Sequence, residues 1–229
     1  DLDKIYGIVF ANGKGRGENN DENILQGDEY HAWEKIRPHI KYLELREYKC
    51  DTYTGDSYFM DMHNVEELEL PKGGMNVGSG DDFIRYFANA DKLNKITVCR
   101  KDNNKFDITE DGAKDISLLN RVGKFMFSNC YSLSTKYINR LMKNVSEIED
   151  NAFKVDPGNR QYCPDETDNT IIDIPSTVTK IGSLAFYNRV KVTGLNIQGN
   201  GDGLEIGSEA FRGCEQLNAL TLDNAKITS

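Results

Sequence analysis

The hexapeptide IGSLAF starts at Ile181 and returns as IGSEAF at Ile206, 25 residues later. Six residues after the phenylalanine of each copy, a second pattern opens. It places Val192, Leu195 and Ile197 after Phe186, and Leu217, Leu220 and Leu222 after Phe211. Both stretches read apolar-x-x-apolar-x-apolar, and the closing alternation is the period of a β-strand with one buried face. A chain that repeats a motif, an offset and a strand pattern together is built of stacked units, each too small to bury its own apolar face. Equivalent strands then pair in parallel. Leu220 and Leu222 are expected over Leu195 and Ile197, and Phe211 over Phe186. Gly182 and Gly207 mark corners where backbones approach closely.

The same template fits upstream. Ile40, Leu43 and Leu45 form one triplet, Val65, Leu68 and Leu70 a second, and Leu93, Ile96 and Val98 a third, with Phe87 six residues before Leu93. TIIDIPSTVTKIG supplies Ile172 and Ile174, with Asn169 in the first apolar slot, and IEDNAF supplies Ile148, Ala152 and Phe153. VGKFMFSNC supplies Val122, Gly123, Phe127 and Cys130, but Lys136 then falls in an apolar slot, so that unit is degenerate. The short intervals define a unit of about 23–25 residues, and the long ones imply insertions near 100–114 and 155–169. Both insertions are rich in Asp, Asn, Gly and Lys or Pro, the composition of solvated loops.

Residues 1–39 fit no repeat and read as a capping region ahead of a repeat domain over 40–229. Within GDEYHAWEKIRPHI, Tyr30, Trp33 and Ile36 have helical spacing, Asp28 is placed to cap the helix and Pro38 to stop it. This helix is expected to cover the open end of the first repeat, with Trp33 in the core.

Charge and motifs exclude several functions. A net charge of −9 opposes general nucleic-acid binding and docking on an anionic membrane, and no apolar run is long enough to span a bilayer. NGKGRGE (Asn12 to Glu18) lacks the spacing and hydroxyl of a phosphate loop. His31, His39 and His63 stand at no metal-ligand spacing, and Phe106 and Asp107 break the calcium-loop pattern within DNNKFDITEDG. The five cysteines, Cys50, Cys99, Cys130, Cys163 and Cys214, form no C-x-x-C. No catalytic constellation can be assembled, and no cofactor is expected.

IDIPSTVTKIGSLAFYNRVKVTGLNI resembles the BspA-type leucine-rich repeat. The match is carried by Ile172, Ile174, Pro175, Val178, Ile181, Gly182, Ala185 and Phe186, and by Cys214 with Leu217 in the next unit. The resemblance implies a leucine-rich-repeat solenoid: a ladder of parallel β-strands with short helices and turns. It also implies a secreted or cell-surface protein, as in bacteria of mucosal habitats, where several relatives act in adhesion. The chain begins at Asp1, so a signal peptide is expected to have been removed. Cys130 and Cys214 occupy the repeat's cysteine slot, where the residue acts as a small buried hydrophobe.

In each strand the residue between the last two apolar positions points away from the core. Stacking aligns these residues into an outward ladder: Glu44, Glu69, Thr97, Asp173, Asn196 and Thr221. Tyr42, Glu67 and Lys95 flank its first half, with Arg46 beside them. Tyr and Arg are favoured in binding hot spots. The expected binding face is therefore Tyr42, Glu44, Arg46, Glu67, Glu69, Lys95 and Thr97. A Tyr42→Ala/Glu69→Lys variant is expected to lose its partner while staying folded. The sequence thus reads as a non-enzymatic binding or adhesion protein that contacts a protein or glycan on host or microbial surfaces. The competing reading is a glycan- or peptide-processing enzyme with its site in an insertion or near the N-terminus.

Overall fold

A computed structural model describes residues 7–9, 28–48, 59–78, 85–100, 102–158, 170–199 and 201–228. The NGKGRGE segment, Cys50, Cys163 and most of the 155–169 insertion lie outside them.

The chain winds as a solenoid with two strand ladders. Strands β1 (Gly7–Val9), β2 (Tyr42–Glu44), β3 (Glu67–Leu70) and β4 (Lys95–Cys99) pair in parallel, and β5 (Lys105–Asp107) closes this sheet antiparallel to β4. The second ladder comprises β6 (Glu147–Ile148), β8 (Lys180–Ile181), β10 (Leu204–Ile206) and β12 (Ile227–Thr228). The first ladder resumes as β7 (Ile171–Ile174), β9 (Gly194–Gln198) and β11 (Ala219–Asp223). Helix α1 (Asp28–Ile36) precedes β2, and α2 (Thr135–Met142) lies between the two halves of the first ladder.

The expected register holds. Leu43 pairs with Leu68 and Leu68 with Ile96; Leu195 pairs with Leu220 and Ile197 with Leu222. Inside runs a column of phenylalanine rings, one per turn: Phe59, Phe87, Phe127, Phe153, Phe186 and Phe211. Successive centroids lie 6.2, 5.4, 5.7, 5.4 and 5.1 Å apart. The residue two before each of the last five rings (Arg85, Phe125, Asn151, Leu184 and Glu209) has φ between 56° and 65°. This left-handed step tightens each turn and lets the backbones of neighbouring turns bond, as Phe186 N–H does to Ala210 O at 2.8 Å. At the preceding corner, a Cβ on Gly207 would lie 2.6 Å from the Ser183 nitrogen, so only glycine fits.

Several expectations change. Residues 7–9, within the stretch read as a cap, form β1 and join the repeat sheet, Ile8 opposite Leu43 on β2. Trp33 is buried as expected, edge-on to Phe59 at 6.4 Å, while Pro38 sits in a short 3-10 turn that extends the helix. The stretch 100–114 is not a solvated loop: it folds into the β4–β5 hairpin and a 3-10 turn, burying Ile108 and Ala113. Its Lys-Phe-Asp-Ile alternation is a strand signal set in a polar stretch. Leu220 and Leu222 stand 62% and 50% exposed, and Phe211 is half-buried, because no described turn covers β11. Past β11, Ile227–Thr228 form β12, which pairs with β10 in the second ladder.

The degenerate unit is explained by α2. Lys136, misplaced for a strand, is exposed on the helix, whose other face buries Thr135, Tyr137, Ile138, Leu141 and Met142. The helix fills the gap of the missing strand. The Tyr137 hydroxyl donates to Asp107 Oδ2 on β5 at 2.6 Å. On the other side, the Asn139 amide donates to Ile171 O at 2.8 Å and accepts from Asp173 N–H at 3.0 Å. One side-chain amide thus supplies the donor and acceptor a neighbouring strand would have offered to β7.

Candidate binding face on β2 to β4

The parallel register places Tyr42, Glu67 and Lys95 in one row and Glu44, Glu69 and Thr97 in the next. All seven residues expected at the binding face therefore come together, with Arg46 just beyond β2. The later ladder members Asp173, Asn196 and Thr221 share the separate β7–β9–β11 sheet, across α2 from these strands.

The hairpin adds a residue that sequence reasoning assigned to a loop. Lys105 on β5 donates to Glu67 Oε1 at 2.5 Å and to the Tyr42 hydroxyl at 3.2 Å, and its ammonium lies 4.6 Å from the centre of the Tyr42 ring. Tyr42 Oη donates to Glu69 Oε2 at 2.7 Å and to Glu44 Oε2 at 3.1 Å. Arg46 donates Nε to Glu69 Oε1 at 2.5 Å and Nη2 to Oε2 at 3.2 Å. Lys95 donates to Glu67 Oε2 at 3.0 Å.

One consequence corrects the outward ladder. Glu69 and Thr97 point away from the core, yet they are 0% and 1% exposed. Arg46 and Tyr42 lie against the Glu69 carboxylate, and β5 pairs alongside Thr97. Glu69 is therefore the buried anchor of the cluster. Reversing its charge would strand Arg46 and Lys105, so Glu69→Lys cannot separate binding from folding.

The electrostatics follow from these contacts. Burial acts to raise the Glu69 carboxyl, but hydrogen bonds from Arg46 and Tyr42 outweigh it and hold it at about 2. Burial also opposes ionisation of Glu67, and the Lys105 and Lys95 ammoniums overcome it, leaving a lowered pKa. The Arg46 guanidinium is held charged by its bond to Glu69. Burial, then Glu69, pushes the Tyr42 phenol well above its ordinary range and the Cys99 thiol up to about 11. Glu69, Tyr42 and Cys99 thus keep one protonation state near neutral pH. The cluster holds fixed charges rather than a group tuned for proton transfer. Cys99 and Cys130 are buried free thiols, and Cys214 is buried too. Among the described residues, no group of His, Cys, Asp and Glu is arranged to hold a metal ion, and no helix is long and apolar enough to cross a membrane.

Two ladders of short strands, a phenylalanine column and glycine corners define a leucine-rich-repeat solenoid. A family model described as the BspA type leucine rich repeat region matches in six copies, over residues 37–157 and 160–229. The chain belongs to that family. No curated protein matches the sequence. Among solved structures, the pneumococcal vaccine antigen PcpA is similar, with 17% identity and a TM-score of 0.31. The similarity covers 82% of this chain and 50% of that one, so the chain spans half its length.

Proposed function

We propose that the protein is a secreted or cell-surface binding protein whose β2–β4 face contacts a protein or glycan partner on host or microbial surfaces. One observation carries the reading. Tyr42, Arg46 and Lys105 converge on one buried carboxylate, Glu69, so the face is fixed before any partner arrives. Such preorganisation lowers the entropic cost of binding. Tyr42, Glu44, Arg46, Glu67, Lys95 and Lys105 are the partly exposed or exposed groups that would make contact, while Glu69 holds Tyr42, Arg46 and Lys105 from beneath and Thr97 is buried. Family membership supports the surface location.

The test is capture from host-matrix and microbial surface extracts by immobilised protein. Lys95→Glu changes a side chain that is 46% exposed and should weaken capture with only a small fall in melting temperature, since Lys105 still pairs with Glu67. Tyr42→Ala should abolish capture, and its melting temperature reports any loss of the bond to Glu69. Undiminished capture by folded Lys95→Glu and Tyr42→Ala variants would place the site elsewhere.

A further inference from the structure

Beside α2 lies an open cleft of about 510 Å³, between the two halves of the first ladder. Lys136, Arg140 and Lys143 line it from one stripe of the helix, at i, i+4 and i+7. Asp173 and Gln198 face them from β7 and β9, and Asn139 stands between. These cations differ from those of the β2–β4 face. There Arg46, Lys95 and Lys105 each bond a carboxylate. In the cleft, among the described residues, Arg140 and Lys143 bond backbone carbonyls. Arg140 donates Nη2 to Ala113 O at 2.5 Å and Ile116 O at 2.8 Å, and Lys143 donates to Lys114 O at 2.8 Å. The Nε and Nη1 donors of Arg140 are buried behind the cleft wall and, among the described residues, meet no acceptor. Lys136 is exposed, with its ammonium over the Tyr137 ring at 5.1 Å. The carbonyls hold Arg140 in place without neutralising it. Among the described residues, a chain of net charge −9 thus keeps three cationic groups beside one cleft without a bonded carboxylate.

We infer that this cleft binds an acidic glycan, with a carboxylate or sulfate group of a sugar against Lys136 and Lys143 and the Arg140 charge behind them. The opposite wall favours a sugar over a simple anion. The Asp173 carboxylate, fixed by Asn139 at 3.2 Å and Asn196 at 2.9 Å, would repel a bare phosphate or sulfate but accepts a hydrogen bond from a sugar hydroxyl. The Gln198 amide can donate to one oxygen and accept from another. A ligand with an anionic edge and a hydroxyl edge satisfies both walls. This site lies on α2, so its failure would leave the reading of the β2–β4 face untouched, and the reverse holds too.

The test is calorimetric titration of the whole chain with four probes: a heparin-derived hexasaccharide, a hyaluronan hexasaccharide, a neutral dextran oligosaccharide and inorganic sulfate. The expected result is binding of one or both acidic oligosaccharides, weakened as salt rises, with neither dextran nor sulfate bound comparably. Which of the two binds decides between sulfate and carboxylate. Lys136→Ala with Lys143→Ala alters two exposed side chains and should cost about tenfold per cation in affinity, at an unchanged melting temperature. Lys136→Glu should cost more than Lys136→Ala. Failure of both acidic oligosaccharides to bind at millimolar concentration, equal binding of dextran or sulfate, or full affinity in the folded double variant would each overturn the inference.

Discussion

Truncating rings at different heights of the phenylalanine column tests whether the solenoid is held together as described. Phe153 is fully buried, with Phe127 stacked at 5.7 Å on one side and Phe186 at 5.4 Å on the other. Phe211 has Phe186 at 5.1 Å on one side, is half-buried, and carries no further ring of the column. A buried phenylalanine cut to alanine costs roughly 3–5 kcal/mol through lost transfer energy and the cavity left behind. Phe153→Ala should cost that full amount, since rigid turns on both sides hinder collapse of the void. Phe211→Ala loses one stacking partner and opens onto solvent, so about half is expected, roughly 1.5–2.5 kcal/mol. For a chain of this size 1 kcal/mol is worth roughly 2–4 °C, which predicts a fall of about 6–20 °C for Phe153→Ala and about 3–10 °C for Phe211→Ala. Circular dichroism during thermal unfolding reads both. Equal losses in the two variants would refute the column as a graded stack, and a fall of under 2 °C for Phe153→Ala would refute the packing itself.

Four further outcomes follow from the same geometry. Glu69 is held at about 2 against an ordinary value of 4.5, so its stabilisation is present above pH 4.5 and lost as pH falls towards 2; Glu69→Gln should lower stability at pH 7 and flatten that acid limb in urea titrations. Arg189, 4% exposed, stands in the cysteine slot of its repeat and donates to the carbonyls of Phe153, Leu133 and Cys130 at 2.8, 3.2 and 3.1 Å. Arg189→Ala should cost about 3 kcal/mol or more, measured by chemical denaturation, because it leaves buried acceptors unpaired. Asn139→Asp removes the donor to Ile171 O and sets a charge against Asp173, so the β7 amides should lose hydrogen-exchange protection before those of β9. Leu220→Lys with Leu222→Lys alters two exposed leucines of an uncovered strand; light scattering should show less self-association, with the melting temperature within a few degrees of the parent.

The repeat itself was legible in the chain because it rests on local periodicity. Each unit writes its strand triplet, its glycine corner and its phenylalanine at fixed offsets, so the register of Leu195 under Leu220 follows from counting. The candidate face was legible for the same reason: parallel register alone brings Tyr42, Glu67 and Lys95 into one row. What counting could not reach depends on contacts between distant segments. Outward direction is a property of one strand, whereas exposure depends on what later folds over it. The sequence pattern puts Glu69 on the outward side of the sheet, but its burial needs Tyr42 and Arg46 from β2 and its end, and Lys105 from β5, to converge on it. Lys136 announced a broken repeat, but only the packed structure could decide that a helix fills the gap. There Asn139 meets the open edge of β7, and α2 closes the space between two half-ladders. Periodicity specifies how a turn stacks on its like; where the pattern breaks, the long-range packing of side chains decides the structure.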